Sequence, residues 1–327
     1  MKYVAGIDIG GTKCAVSIGR VCEEKVEVVD KIIIPTPKEP LMAVASMVSI
    51  LEEMTKKQTK KPISAIGISC GGPLDSKKGL ILSPPNLPDW NHIDVVTPFE
   101  KKFCVPVAVQ NDANACALAE WLWGAGRGCK NMIFLTFGTG MGAGLILNGN
   151  LYAGTNDMAG EVGHIRLEKE GPIGYNKAGS FEGFCSGGGI AKIGMQMVKK
   201  YNEEGKKTQI TKIQSELLNI TAADIGEAAV RGDELALSIF ESVGTQLGKG
   251  LSILIDILNP EKIIIGSIFL RQETLLRKPM ERIIEQEALK YSNCVCTVVP
   301  AGLGENIGEY AAYSVAVNKL KEQNTII

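Results

Sequence analysis

Hydrophobic positions in this chain fall first into short strand-like runs punctuated by glycine, and later into stripes at helical spacing. Tyr3-Val-Ala-Gly-Ile-Asp8 is an apolar run closed by Gly10-Gly11-Thr12, and Cys14-Ala-Val-Ser-Ile18 resumes the pattern after it. That order predicts a strand, a tight glycine turn and a second strand. Val26 to Ile34 reads as a third strand ended by Pro35 and Pro37, and residues 41–56 carry apolar side chains at helical spacing. Ser64-Ala-Ile-Gly-Ile-Ser69 is a buried strand running into Gly71-Gly72-Pro73. After the turn-rich stretch 84–90 come the strand Val105-Pro-Val-Ala-Val109 and a helix from Ala113 to about Trp123. The first part is therefore an α/β unit with an antiparallel opening.

The second part begins again in the same way. Met132 to Phe137 is a strand, Gly138-Thr-Gly-Met-Gly142 a glycine turn, and Ala143 to Leu147 the next strand, an echo of residues 3–18. Helices follow at about 188–201, 222–231 and 234–258, then the buried strand Lys262 to Ile265 and a last helix from about Ile307 to Lys321. A length of 327 residues suits two domains. The expected division is an N-terminal α/β domain over 1–112, a larger one over 113–304, and a final segment 305–327 that packs back on the first. Two domains of this kind imply a cleft, with the two glycine turns placed to hold a polyphosphate.

Composition narrows the partners. Thirty-five lysines and arginines against 36 aspartates and glutamates leave no basic surplus for a phosphate backbone, so nucleic acid is not expected. No signal peptide is visible at the start, and runs such as Ile263 to Ile265 are far shorter than the ~20 residues a membrane span needs. Nine scattered cysteines fit a reducing cytosol, and the lone Cys294/Cys296 pair has no second pair to make a metal site. A cytoplasmic protein without a membrane partner is expected.

Three constellations carry candidate chemistry. Asp8-Ile-Gly-Gly-Thr-Lys13 puts a carboxylate, two glycines, a hydroxyl and an ammonium together; glycines let main-chain N–H groups approach phosphate, and Asp8 suits magnesium held through water. A plain β-hairpin would also use the glycines, but the matching Gly138-Thr139-Gly140 favours phosphate binding. Asn111-Asp112 stands between a strand and a helix, where aspartate serves either as an N-cap or as a general base facing the cleft, with Asn111 orienting the acceptor. Glu161-Val-Gly-His164 offers an acid and an imidazole three apart, suited to sugar hydroxyls, and Glu182 in Gly179-Ser-Phe-Glu-Gly183 adds an acceptor. Each of these also has a bland reading as a loop residue.

Together these residues resemble the ROK family of bacterial repressors, open reading frames and sugar kinases, within the actin-like, Hsp70-like ATPase (ribonuclease H-like) fold. The opening Gly6 to Lys13 is similar to that family's first phosphate motif, Gly71 to Asp75 and Pro85 to Trp90 to its sugar-side loops, Asn111 to Asn114 to its catalytic segment, and Gly138 to Gly144 with Ala159 to His164 to its signature stretch. The resemblance implies transfer of the ATP γ-phosphoryl group to a hexose or amino-hexose, with Asp112 as base. It implies a sugar held by Gly72, Asn111, Asp112, Glu161, His164 and Glu182. ATP would be held by Asp8, Gly10, Gly11, Thr12, Lys13, Gly138, Thr139, Gly140 and Gly266, with magnesium on Asp8 through water. It also implies a homodimer.

Departures from the family pattern qualify this. The family's C-x-C-G-x-x-G-C zinc segment is missing: residues 165–181 contain no cysteine, and Ser180 falls where the last one stands. No zinc is expected, because only His164 remains as a ligand. Freed from zinc, the His164 ring is expected to find a partner in Tyr175, Asn176 or Lys177. Ile265-Gly-Ser-Ile-Phe269 has one glycine where the family has three, and Glu305 replaces an aspartate. The competing readings are a non-catalytic, sugar-sensing relative, a repressor, and an acetate kinase or N-acetylglucosamine kinase-like enzyme. A phosphate motif starting at residue 6 leaves no room for a DNA-binding module, and the Glu161 to His164 spacing favours the ROK pattern over the last.

Overall fold

The structure, a computed structural model, describes residues 2–22, 25–57, 62–210 and 219–323. The chain divides into two compact units, one of residues 1–130, 144–159 and 305–327 and the other of 131–143 and 160–304. The last four residues of the predicted returning segment, 324–327, lie outside the described residues.

The first unit runs β1 (Lys2–Ile9), β2 (Lys13–Val21), β3 (Val26–Pro35), α1 (Pro40–Lys57), β4 (Ile63–Cys70), the short β5 (Leu74–Asp75), β6 (Leu80–Leu82) and β7 (Asn91–Asp94), then α2 (Thr97–Phe103), β8 (Val107–Asn111) and α3 (Asp112–Trp123). Its main sheet has the order β3-β2-β1-β4-β8. β1 pairs antiparallel with β2, while β1, β4 and β8 run parallel. β1 is apolar along most of its length because both sheet faces are covered. Ala5, Ile7 and Ile9 join the core under α1, whose buried Ala43, Val44, Met47, Leu51 and Met54 recur at helical spacing. Val4, on the opposite face, packs with the last helix through Tyr313, Ala316, Val317 and Leu320.

That last helix, Ile307–Glu322 (α10 below), lies so close to β4 that Gly67 has no room for a side chain. A Cβ there would overlap the Ala312 carbonyl oxygen and come within 2.5 Å of the Ala316 nitrogen. Ser314 Oγ also donates to the Ala115 carbonyl of α3 at 2.8 Å. Packing of α3 on the returning helix keeps α3 in the first unit, which therefore extends to Lys130 rather than ending at 112. β8 likewise starts two residues later than Val105 and carries Asn111 as its last residue: Cys70 of β4 pairs with Asn111.

The second unit contains β9 (Met132–Phe137) and the start of β10 (Met141–Leu147), which leads into β11 (Asn150–Leu151). There follow β12 (Ile173–Gly174), β13 (Lys177–Ala178), α4 (Phe181–Phe184), α5 (Gly187–Glu203), α6 (Ala222–Val230), α7 (Glu234–Leu258), β14 (Lys262–Ile265), α8 (Ile268–Glu287), α9 (Lys290–Asn293) and β15 (Thr297–Pro300); α10 (Ile307–Glu322) then returns to the first unit. The second sheet has the order β11-β10-β9-β14-β15, with β14 parallel to both β9 and β15. Strand for strand this repeats the topology of the first sheet, so the echo of glycine hairpins extends to the whole framework.

Candidate active site

Parallel strands present their carboxyl ends together, and open α/β sheets bind ligands there. In the first unit those ends carry Asp8 on β1, Cys70-Gly71-Gly72 after β4, and Asn111-Asp112 at the end of β8. Register fixes their spacing: Asp8 lies beside Ser69, and Cys70 beside Asn111. Gly72 sits against Asn111, with its Cβ position 3.9 Å from the Asn111 Cβ. The structure thus brings Asp8, Gly72, Asn111 and Asp112 into one cluster.

The helix cap falls on Asn111, not Asp112. Asn111 has extended backbone (φ −67°, ψ 159°) and its Oδ1 accepts from the Asn114 N–H at 2.8 Å. Asp112 is the first helical residue. Its Oδ1 accepts from the Ala113 N–H at 2.9 Å, and Oδ2 makes no hydrogen bond among the described residues. Solvent reaches the Asp112 carboxylate, but the protein crowding it raises its pKa, offset in part by the N–H groups of Ala113 and Asp112. Asp8 is raised for the same reason and also by the negative charge of Asp112, while Lys31 and Lys13 pull it down. Burial raises both carboxylates, Asp8 also feels the charge of Asp112, and the donor set fits a magnesium ion at Asp8.

The turn after β1 is built for a fixed main chain. Gly10 N–H donates to the Lys13 carbonyl at 3.1 Å, and the exposed Gly11, Thr12 and Lys13 form its rim. Thr36, just past the end of β3, holds this turn: its Oγ1 donates to the Gly10 carbonyl at 2.6 Å and its N–H to the Thr12 carbonyl at 3.0 Å. Asn86 covers it from the other side, its carbonyl oxygen standing where a Gly11 Cβ would go. Lys31, which pairs with Glu309 at 2.6 Å, supplies a second positive charge near Asp8. The sequence does not single out Thr36 and Lys31, because each acts across the fold and carries no local signature, and it marks Asn86 only as part of the sugar-side loop Pro85 to Trp90.

In the second unit the Gly138–Gly140 turn between β9 and β10 is held by Thr136, whose Oγ1 accepts from the Gly142 N–H at 2.9 Å. Glu182 Oε2 accepts from the Met141 N–H at 3.1 Å, so part of this carboxylate orders the hairpin and the rest remains for a ligand. Gly187, at the start of α5, donates its N–H to the Gly138 carbonyl at 2.7 Å. Thr139 is exposed at the tip. Gly266 is buried, bonded to the Leu135 carbonyl at 3.0 Å, and it is Ser267 that faces the turn: its Oγ lies 3.4 Å from the Gly138 Cβ position. Ser267 adopts φ 52°, a left-handed conformation rare for a residue with a side chain.

Glu161 precedes a 3₁₀ turn, Val162–His164, that packs against α4; the Glu182 Cβ lies 3.1 Å from the Gly163 Cβ position. These three sequence-predicted residues are thus neighbours, with His164 exposed. The expected ring partner for His164 takes a different form. Lys177 Nζ donates to the His164 main-chain carbonyl at 2.7 Å, and the Tyr175 ring stands edge-on to the imidazole at 6.1 Å. No hydrogen bond reaches the ring nitrogens from the described residues, so they stay open to a ligand.

Hydrogen bonds order the segment that lacks cysteines. Ser180 is fully buried, caps α4 by accepting from the Gly183 N–H at 3.1 Å, and donates to the Gly174 carbonyl at 3.3 Å. Phe181 N–H bonds to the Ile165 carbonyl and Arg166 to the Ala178 carbonyl, closing the loop around the β12–β13 hairpin. Among the described residues, no three histidine, cysteine, aspartate or glutamate side chains are grouped as a metal site. Magnesium shared between one carboxylate, water and phosphates requires no such group.

Known proteins are similar to this chain in sequence and fold. A glucokinase from Halalkalibacterium halodurans is 34% identical over 294 residues, covering 88% of this chain and 87% of its own. One from Thermotoga maritima is 28% identical over 320 residues, covering 96% and 97%. Among solved structures, a ROK family glucokinase from Streptomyces griseus in complex with glucose and AMPPNP is similar with a TM-score of 0.74 at 28% identity, covering 96% of this chain and 99% of that one. The paired α/β units are accordingly those of the actin-like ATPase fold. The model of the ROK family matches residues 4–318, nearly the whole sequence, and this chain belongs to the ROK family.

Proposed function

We propose that this chain is an ATP-dependent kinase that phosphorylates a hydroxyl of a hexose or amino-hexose, with Asp112 as the general base. The observation that carries the assignment of the base is the position of Asp112: it is released from capping by Asn111, its Oδ2 bonds to no other described residue, it carries a raised pKa and it stands beside Asp8. The similar glucokinases support the substrate class.

Phosphoryl transfer passes through a loose transition state, so the protein's share is positioning and charge balance. Asp112 accepts the proton of the attacking hydroxyl as the new O–P bond forms and the bond from the γ-phosphorus to the leaving ADP oxygen breaks. Gly72 and Asn111 border the acceptor, and Glu161, His164 and Glu182 are the sugar-side residues of the second unit. The turns Gly10 to Lys13 and Gly138 to Gly140, with Lys13, serve the phosphates through N–H groups other than those of Gly10 and Gly138, which bond within the turns; Ser267 beside Gly138 takes the nucleotide-side place expected of Gly266. Magnesium, held through water by Asp8, would neutralise phosphate charge.

A coupled ADP-release assay over a panel of hexoses and amino-hexoses tests the activity and identifies the sugar; a rate unaffected by every sugar contradicts it. His164→Ala is expected to raise KM for the sugar several-fold more than KM for ATP, since an exposed imidazole with open nitrogens serves a hydroxylated ligand. An unchanged sugar KM removes His164 from the binding site. Because Ser180, Arg166 and Lys177 do the ordering, purified protein should hold far less than one zinc per chain and keep its melting temperature in a chelator. Elemental analysis giving one zinc per chain contradicts this. The reading includes a homodimer working in the cytoplasm without nucleic acid, in keeping with the balanced charge; among the described residues no helix is long and apolar enough to cross a membrane.

A further inference from the structure

The first unit holds a cavity of about 540 Å³ that none of the active-site residues lines. Trp121 and Trp123 at the end of α3, Arg127 and Lys130 beyond it, and Val317 and Lys321 on α10 form much of its wall. The volume is within the ~300–1,000 Å³ typical of small-molecule sites. Both indoles are held in place. Trp121 Nε1–H donates to the Cys129 carbonyl at 2.9 Å, and the Trp123 ring packs at 6.3 Å from that of Tyr310. Aromatic faces fixed in advance lose little freedom when a ring stacks on them.

None of the described residues lining the cavity is acidic, and three are cationic. Lys321 sets the chemistry: its Nζ lies 4.9 Å from the centre of the Trp121 ring, and it makes no ion pair among the described residues. One side of Lys321 remains open to solvent, while protein packed around the other pushes its pKa below that of an ordinary lysine. An ammonium whose companion among the described residues is an aromatic face gains from an anion placed beside it.

We propose that this cavity is a second ligand site, which binds a small organic anion with a carboxylate or phosphate on a flat apolar ring: the anion pairs with Lys321 and the ring lies against the fixed indoles. The site is independent of the proposed phosphoryl transfer and would hold whether or not that reading does.

Calorimetric titration of the full chain with 1-naphthoate, 1-naphthyl phosphate and the neutral 1-naphthamide tests it. At least one anion is expected to bind saturably at one per chain, and which binds more tightly separates carboxylate from phosphate recognition. The amide should bind about tenfold or more weakly, and Lys321→Met, which keeps the apolar stem, should weaken the anion by about tenfold, the worth of a charge-assisted hydrogen bond. ATP turnover and melting temperature of Lys321→Met should match the parent. In the parent protein, the indole N–H resonances of Trp121 and Trp123 should shift on adding the anion while that of the buried Trp90 stays. No anion binding up to millimolar concentration, an amide that binds equally well, unchanged affinity in Lys321→Met, or still resonances of Trp121 and Trp123 would each overturn the proposal.

Discussion

Asp112→Asn is expected to lower turnover by about 10²- to 10⁴-fold, the usual worth of a positioned general base, in a protein that remains folded. An amide cannot take the hydroxyl proton, but it can keep the bond to the Ala113 N–H, and the cap of α3 belongs to Asn111. Loss of that cap in Asn111→Ala should instead cost about 0.5–2 kcal/mol of stability, which separates the two neighbours. Sugar binding should survive Asp112→Asn, as an amide still hydrogen-bonds a hydroxyl.

Linkage adds a pH signature. The Asp112 carboxyl has a folded pKa above its unfolded value, so the folded state binds more protons between the two, and stability falls as pH rises through the folded pKa. Asp112→Asn removes this penalty. Its melting temperature should equal or exceed the parent's at neutral pH, and any advantage should vanish below the unfolded pKa, where both are neutral. The parent's kcat/KM should fall as acid protonates the base, in a limb placed above the ordinary aspartate value. Near-parent turnover by Asp112→Asn would remove the base assignment.

Gly67→Ala is expected to destabilise the first unit by about 1–3 kcal/mol or more, the range for overpacking a close contact. The new methyl would meet the Ala312 carbonyl and the Ala316 nitrogen, main-chain atoms that cannot turn aside, so α10 would have to lift from β4. Gly308→Ala, also in α10 but facing open space, is the control and should be neutral or slightly stabilising. Thermal unfolding of both variants decides: a Gly67→Ala protein that melts with the parent would mean that α10 does not dock on β4.

Elements whose signal is local were legible in the sequence. The hairpins around Gly10-Gly11 and Gly138-Thr139-Gly140 follow from apolar runs broken by glycine, and their echo anticipates two sheets of matching strand order. The helix α8 was not legible. It is rich in charge, contains Pro279 and bends at Gln272, features that read as a loop until Leu276, Met280, Ile283 and Ile284 are seen buried. β15 lies just past the strand-like stretch at Cys294 to Cys296, and its place in the sheet is fixed by pairing with β14. At the site, residue types marked Asp8, Asp112 and His164. Which of Asn111 and Asp112 caps α3 depended on two backbone angles, and that Ser267 rather than Gly266 faces the Gly138 turn depended on its positive φ. Such details are set by tertiary contact, which a single sequence does not encode locally.

The central claim, transfer of a phosphoryl group from ATP to a sugar hydroxyl, is tested most directly by following ³¹P resonances of ATP and magnesium with the parent protein and each sugar of the panel. The account predicts that with at least one hexose or amino-hexose a sugar-phosphate ester signal grows one for one with ADP, and that Asp112→Asn suppresses it. ADP accompanied only by inorganic phosphate, or no change with any sugar, would contradict it.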